Sequence, residues 1–190
     1  MADYRVLPVV LERYSPRAFD GNRAVPREAL EVLLEAARWA PSAANSQPWV
    51  YLVFDSSVAE ALEQARNLLD EGNRKWAVRA PVLLLACSRV RRENGKPQRY
   101  GEHDLGLANQ NLLLQAHFLG LFAHPMAGFD KNQAREWFFI PNDYQPMVMI
   151  ALGYPGEEAD LPPEVREKDQ EPRRRKPLDK IAGWGYWPEG

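Results

Sequence analysis

The chain has one cysteine, Cys87, in 190 residues. That excludes an internal disulfide framework and any metal site built on several cysteines. No apolar run approaches the ~18 residues of a membrane-spanning helix. The start, Met1-Ala2-Asp3-Tyr4-Arg5, lacks the basic lead and apolar stretch of a signal peptide. The expectation is therefore a cytoplasmic protein with no membrane partner. Neither charge dominates: 24 Lys+Arg against 26 Asp+Glu leave a net charge of -2, so no global basic field points to nucleic acid. There is no repeat period and no low-complexity linker. There is no Gly-x-Gly-x-x-Gly, no Walker phosphate loop and no Gly-x-Ser-x-Gly, which leaves a Rossmann or P-loop nucleotide site and a hydrolase nucleophile elbow without support. His103, His117 and His124 show no metal-ligand spacing, and no metal site is expected. Cys87 lies inside an apolar run, where burial favours an inert thiol.

What is present is an ordinary globular composition, 45% hydrophobic and 26% charged, over a length that suits one domain. A short helix is expected near Val6 to Arg13, opening around Pro8. Pro26 precedes a second, in which Leu30, Leu33, Leu34 and Ala37 recur at helical spacing and Pro41 enforces a stop. Trp49 to Phe54 reads as a strand. Ser57 with Glu60 is a capping-box signal for a helix carrying Ala61, Leu62, Ala65, Leu68 and Leu69. A shorter helical piece runs from Arg74 to Arg79. Val82 to Cys87 is a strand without alternation, so both its faces should be covered. Glu102 to Leu119 is the longest helix, ended by Gly120, and Asp130 is placed to cap another. Met147 to Leu152 is a further buried strand. From Pro155 to Gly190 the chain turns to Pro, Glu, Arg and late aromatics. Strands separated by helices give an α+β or α/β domain with a covered sheet.

Three segments can carry chemistry. Arg173-Arg174-Arg175-Lys176 is the densest positive cluster; it reads as a solvated run beside Glu157, Glu158, Glu164, Glu167 and Glu171, or as an anion site, since the guanidinium fork matches phosphate oxygens. Arg13-x-Ser15-x-Arg17 puts two cations around a hydroxyl on a turn. Pro41-Ser42-Ala43-Ala44-Asn45-Ser46-Gln47-Pro48-Trp49 combines small side chains, two amides and two prolines; it suits either a flat ligand close to the backbone or a rigid helix-to-strand connection.

Four blocks in order resemble the FMN-dependent nitroreductase family over about Leu11 to Lys180: Arg13 to Phe19; Ala36-Ala37-Arg38-Trp39-Ala40-Pro41-Ser42 through Trp49; Asp104-Leu105-Gly106 through Pro125-Met126-Ala127-Gly128-Phe129; and Ile150 to Pro155 followed by Arg173 to Leu178. The resemblance implies an α+β nitroreductase-like fold, with a central mixed β-sheet flanked by helices. It implies a single domain over residues 1–190, its 155–190 tail reaching a partner subunit. It further implies a homodimer with two FMN sites lined by both chains.

Carried over by position, Arg13, Tyr14, Ser15 and Arg17 form the N-terminal flavin segment. Arg173 and Arg175 are tail contacts to the phosphate, and Asn73 pairs with the pyrimidine edge. Pro41, Ser42 and Asn45 reach the flavin of the other subunit. Pro125, Met126, Ala127 and Gly128 form the loop over the ring, the Ala127 backbone N–H facing N5. The cofactor would carry the chemistry, taking hydride from NADH or NADPH and passing it to a nitroaromatic, quinone or related small-molecule acceptor by a ping-pong route. The same fold could serve dehalogenation or flavin fragmentation, or a non-catalytic FMN-binding module. Trp76 stands where longer members often have lysine, and Ala127 where some have glutamate. Tyr14 and Pro16 replace more usual polar residues.

Overall fold

Leu, Val and Ile concentrate in four segments that become one sheet. A computed structural model describes residues 6–92 and 94–188. The Met1–Arg5 stretch, read above as no signal peptide, lies outside the described residues. The strands are β1 (Trp49–Phe54), β2 (Val82–Arg89), β3 (Phe122–Met126) and β4 (Tyr144–Gly153), ordered β1-β2-β4-β3. The architecture is α+β, as expected, but every pairing among the described strands is antiparallel, where a mixed sheet was expected. Each connection between neighbouring strands, helical ones included, begins and ends at the same end of the sheet. A parallel pair would need a crossover to the opposite end.

β2 is buried at all but its last residue, and its alternation divides the core in two. Leu83, Leu85 and Cys87 pack with Leu62, Ala65 and Leu68 of α3 (Ala59–Leu68) and with Trp76 of α4 (Glu71–Ala77). Val82 and Leu84 pack with Leu30, Leu33 and Ala37 of α2 (Arg27–Arg38) and with Ala108, Leu112 and Ala116 of α5 (Gly101–Phe118). Helices therefore cover both faces. Gly120, at φ +71, ends the α5 connection in a conformation that favours glycine.

The short helices α1 (Pro8–Glu12) and α6 (Lys131–Trp137) fall where proline and Asp130 signalled them, and Asp130 accepts the Gln133 N–H at 2.9 Å. The Ser57–Glu60 capping box does not form. Asp55 caps instead, accepting the Ser57 N–H at 2.9 Å, because a 3₁₀ turn at Ser56–Val58 precedes α3. The strand β3 and the helix α7 (Pro163–Asp169) were not foreseen. Leu161 and Val165 bury into the core, so the tail first turns back onto its own chain; from residue 170 to 187 every residue is exposed.

Phe19 fastens the N-terminal segment to the start of that tail. It is 1% exposed, bridges to Pro155 and stacks on Trp76 with ring centroids 6.1 Å apart. The Asp20 N–H donates to the Tyr154 carbonyl at 3.0 Å, and the Gly156 N–H to that of Ala18 at 3.1 Å. A Cβ on Gly156 would lie 2.3 Å from the Phe19 carbonyl carbon, so only glycine allows the approach. Phe19→Ala is expected to destabilise the fold by about 3–5 kcal/mol. Urea unfolding measures it, and a loss under about 1 kcal/mol would refute the role.

Candidate functional site

Residues 13–17 leave α1 as extended chain, and cations gather around them. Arg173 reaches back from the tail, its Nη1 donating to the Leu11 carbonyl at 2.8 Å and its Nη2 to the Arg13 carbonyl at 2.9 Å. A cation on these last carbonyls suits the end of a helix. Arg13 Nη1 lies 3.5 Å from Ser15 Oγ. Burial, and then the nearby charges of Arg173 and Arg175, push the Arg13 guanidinium below its ordinary pKa. Among the described residues none of the three has a carboxylate within ion-pair distance. Neighbouring cations of this kind raise the local positive potential. Tyr14 stands edge-on to Phe122 at 5.5 Å, with the Arg173 guanidinium 5.9 Å from its ring. Its hydroxyl is raised in pKa by burial, then by Asp169 and Glu158.

Arg17 is held by a residue that sequence reading missed. The Asp169 side chain, 6% exposed, accepts the Arg17 backbone N–H at 3.2 Å and its Nη1 at 3.0 Å. The Arg17 guanidinium also lies 5.9 Å from the ring of Trp76. On another side of that indole sits His124, centroids 4.5 Å apart. His124 Nδ1 donates to the Pro16 carbonyl at 2.9 Å. Burial depresses the imidazole to about 4, against the opposing effect of that hydrogen bond, so the ring is neutral at pH 7.

Asn73 and the chain after β3 form a clamp. The Gly128 carbonyl accepts the Asn73 Nδ2 at 3.1 Å and the Asp70 N–H at 3.1 Å. Asp70 Oδ1 accepts the Asn73 N–H at 2.8 Å, capping α4. A Cβ on Gly128 would fall 1.8 Å from Asp70 Oδ2, so this position must be glycine. Pro125 and Met126 were expected in a loop with Ala127 and Gly128. They are instead the last residues of β3, paired with Ile150 and Met149. Among the described residues β3 has a neighbouring strand on one side only, and a proline without N–H is tolerated on such an edge strand. Ala127 is exposed beyond the strand.

The Pro41–Pro48 connection stands apart from these groups. Ala44, Asn45 and Gln47 take φ of 54°, 52° and 42°, a left-handed conformation that costs non-glycine residues energy and clusters at functional sites. Ser42 Oγ accepts the Gln47 N–H at 3.0 Å. Asp104, 2% exposed, accepts the Ala43 N–H at 3.0 Å. Gln98 Nε2 donates to Ser46 Oγ at 2.6 Å. These bonds tie the loop to α5 and the segment before it, not to residues 13–17. Asp104 opens one of the family-like blocks but with no role assigned to it, and Asp169 is one acid among many until the fold buries it.

A helix-covered antiparallel sheet, with Arg13, Arg173 and Arg175 gathered beside the segment that follows α1, defines an α+β protein. A sequence profile of the Nitroreductase family matches residues 10–154, and the chain belongs to that family. A protein of Methanothermobacter thermautotrophicus, provisionally named NADH dehydrogenase/NAD(P)H nitroreductase, is 34% identical over 158 residues, which cover 80% of this chain and 78% of the relative. The NADH dehydrogenase of Thermus thermophilus is 30% identical, with 92% and 93% covered. A crystal structure described as an oxidoreductase containing FMN superposes with a TM-score of 0.91 at 38% identity, covering 98% of this chain and 94% of the other.

His124 yields a pH prediction. Its folded pKa lies below the ordinary 6.5, so the unfolded chain binds the extra proton first. Stability is therefore fully present above about pH 6.5 and falls as pH drops towards 4. The loss should reach about 3 kcal/mol. Urea midpoints between these limits should flatten in His124→Gln; an unchanged slope would refute it.

Proposed function

We propose that the chain is an FMN-dependent oxidoreductase that takes hydride from NADH or NADPH and delivers it to a nitroaromatic, quinone or related acceptor. The observation that carries the reading is the convergence of Arg13, Arg173 and Arg175 with no counter-charge, the property a doubly charged phosphate needs. Membership in the family and the FMN of the structurally similar oxidoreductase support it.

The residues present fit FMN. Arg13, Ser15, Arg173 and Arg175 hold the phosphate. Arg17, oriented by Asp169, faces the ring edge where negative charge collects, and Asn73 offers its amide to the pyrimidine. The clamp on Gly128 fixes the chain that carries Ala127, whose backbone N–H would hold the reactive middle of the ring; Pro125 and Met126 support that chain from β3. Held by these residues, FMN would supply the hydride-transfer chemistry between a nicotinamide donor and a second substrate, in ping-pong order. Trp76, at the position of a lysine in longer members, fills space rather than adding charge, which leaves Arg17 as the cation at that edge. With His124 neutral beside it, the edge carries one charge, partly offset by Asp169.

The active unit is a homodimer. Trp39 and Phe118 are 74% and 77% exposed, beside a groove between α1, α2 and α5 that Val9, Ala36 and Leu114 line. Trp184 and Trp187 are 97% and 91% exposed, so the tail aromatics do not bury on their own chain. Apolar surface of this kind marks an interface. The strained loop at Pro41, Ser42 and Asn45, fixed away from residues 13–17, is placed to serve the partner's flavin. Among the described residues no helix is long and apolar enough to cross a membrane.

Anaerobic NADH or NADPH is expected to bleach the yellow protein; a flavin that neither donor reduces would point to a binding module. Arg13→Ala and Arg175→Ala should each weaken FMN binding about tenfold to a hundredfold. Titration of apoprotein tests this, and unchanged affinity in both would overturn the phosphate assignment. Sedimentation should find a dimer, and a 21.7 kDa particle with bound FMN would contradict it.

A further inference from the structure

The stretch between β2 and α5 is the most cationic of the chain outside the tail. Arg89, Arg91, Arg92, Lys96 and Arg99 fall within eleven residues, against one acid, Glu93. Backbone bonds fold it into a hairpin: Arg92 N–H to the Lys96 carbonyl at 2.8 Å, Gly95 N–H to that of Arg92 at 2.9 Å, and Gln98 N–H to that of Val90 at 2.9 Å. The hairpin is fastened to the strained loop. The buried Gln98 side chain donates to Ser46 Oγ and accepts the Arg92 Nε at 2.8 Å, while the Arg89 N–H donates to the Pro48 carbonyl at 2.7 Å.

Between hairpin and loop lies a cavity of about 390 Å³, lined by Ala44, Ser46, Arg89, Arg92, Asn94 and Gln98. No aromatic or large apolar side chain lines it, so it does not suit a nitroaromatic or quinone ring. Gln98 orients Arg92 through Nε. Among the described residues neither Arg92, nor Arg91, Lys96 or Arg99 nearby, has a carboxylate within ion-pair distance. A guanidinium fixed at Nε, with its terminal nitrogens lacking a carboxylate, is the donor set for a phosphate monoester.

We propose that this cavity takes the 2′-phosphate of NADPH and makes NADPH the preferred hydride donor. The proposal rests on the preceding reading, in which the Pro41–Pro48 loop borders the partner's flavin. A dinucleotide with its nicotinamide over that ring would extend its adenosine end along this loop towards the hairpin. Arg92 contacts the phosphate, with Lys96 and Arg91 adding long-range attraction.

The test uses the FMN-loaded protein. Wild type should favour NADPH over NADH at least about tenfold in kcat/KM. Arg92→Ala should lower kcat/KM for NADPH about tenfold or more, with most of the change in KM, and that for NADH less than about twofold. Should Arg92→Ala disturb the Gln98 contacts, Lys96→Ala, at the exposed hairpin, should show the same selectivity at smaller size and with greater salt dependence. Equal use of both donors by wild type, or equal loss for both in the variants, would overturn the assignment; the latter would mean that the pyrophosphate is read instead. Calorimetry with 2′,5′-ADP against 5′-AMP reads the cavity without turnover. If neither donor reduces the flavin, the proposed function fails; the cavity assignment still stands or falls on whether 2′,5′-ADP binds and Arg92→Ala abolishes it.

Discussion

Arg13, Arg173 and Arg175 stand together with no carboxylate within ion-pair distance among the described residues, and their positions depend on how the N-terminal segment is held. Arg173 is bonded to the carbonyls that end α1, so its position follows that of residues 11–13. Those residues in turn are fixed by what comes next: Arg17 on Asp169, and Phe19 under Pro155 and on Trp76. Asp169 ends α7, whose Val165 buries in the same core as Trp76. The two ends of the chain are thus locked together through apolar packing on the sheet, and the strained charge cluster rides on that lock.

The parts that depend on periodicity were legible in advance. β2 and β4, α2 and α5 announced themselves by apolar spacing, and the end of α5 by Gly120. β3 did not, because His124 and Pro125 break its apolar run and it is a short edge strand. α7 is short and lies among Pro, Glu and Arg, where Val165 alone marks its buried face. The capping box misled because Asp55, one turn earlier, offered a better acceptor to the same N–H.

The site divides along the same line. Arg13, Ser15 and Arg17 stand close in sequence, so their grouping is local and readable. Arg173 and Arg175 join them only through 160 residues of folded chain. The basic run is exposed throughout, and within it Arg173 is the residue bonded back to the Leu11 and Arg13 carbonyls. The buried acids are not marked as acceptors in the sequence: Asp104 stands in a family-like block without a role of its own, and Asp169 lies in no block. Their importance comes from being the acceptors that a loop amide and a guanidinium would otherwise lack.

The edge strand β3 carries a further consequence. It is an outermost strand among the described residues, and bare edges invite uncontrolled strand pairing, but Tyr14 lies against Phe122, the Pro16 carbonyl accepts from His124, and no residue of the strand is exposed. Pro125 removes a donor near its end, and beyond Met126 the clamp on Gly128 bends the backbone away towards Asp70. The geometry that leaves Ala127 exposed therefore also leaves an incoming strand too short a ladder to hold, and so guards the protein against aggregation.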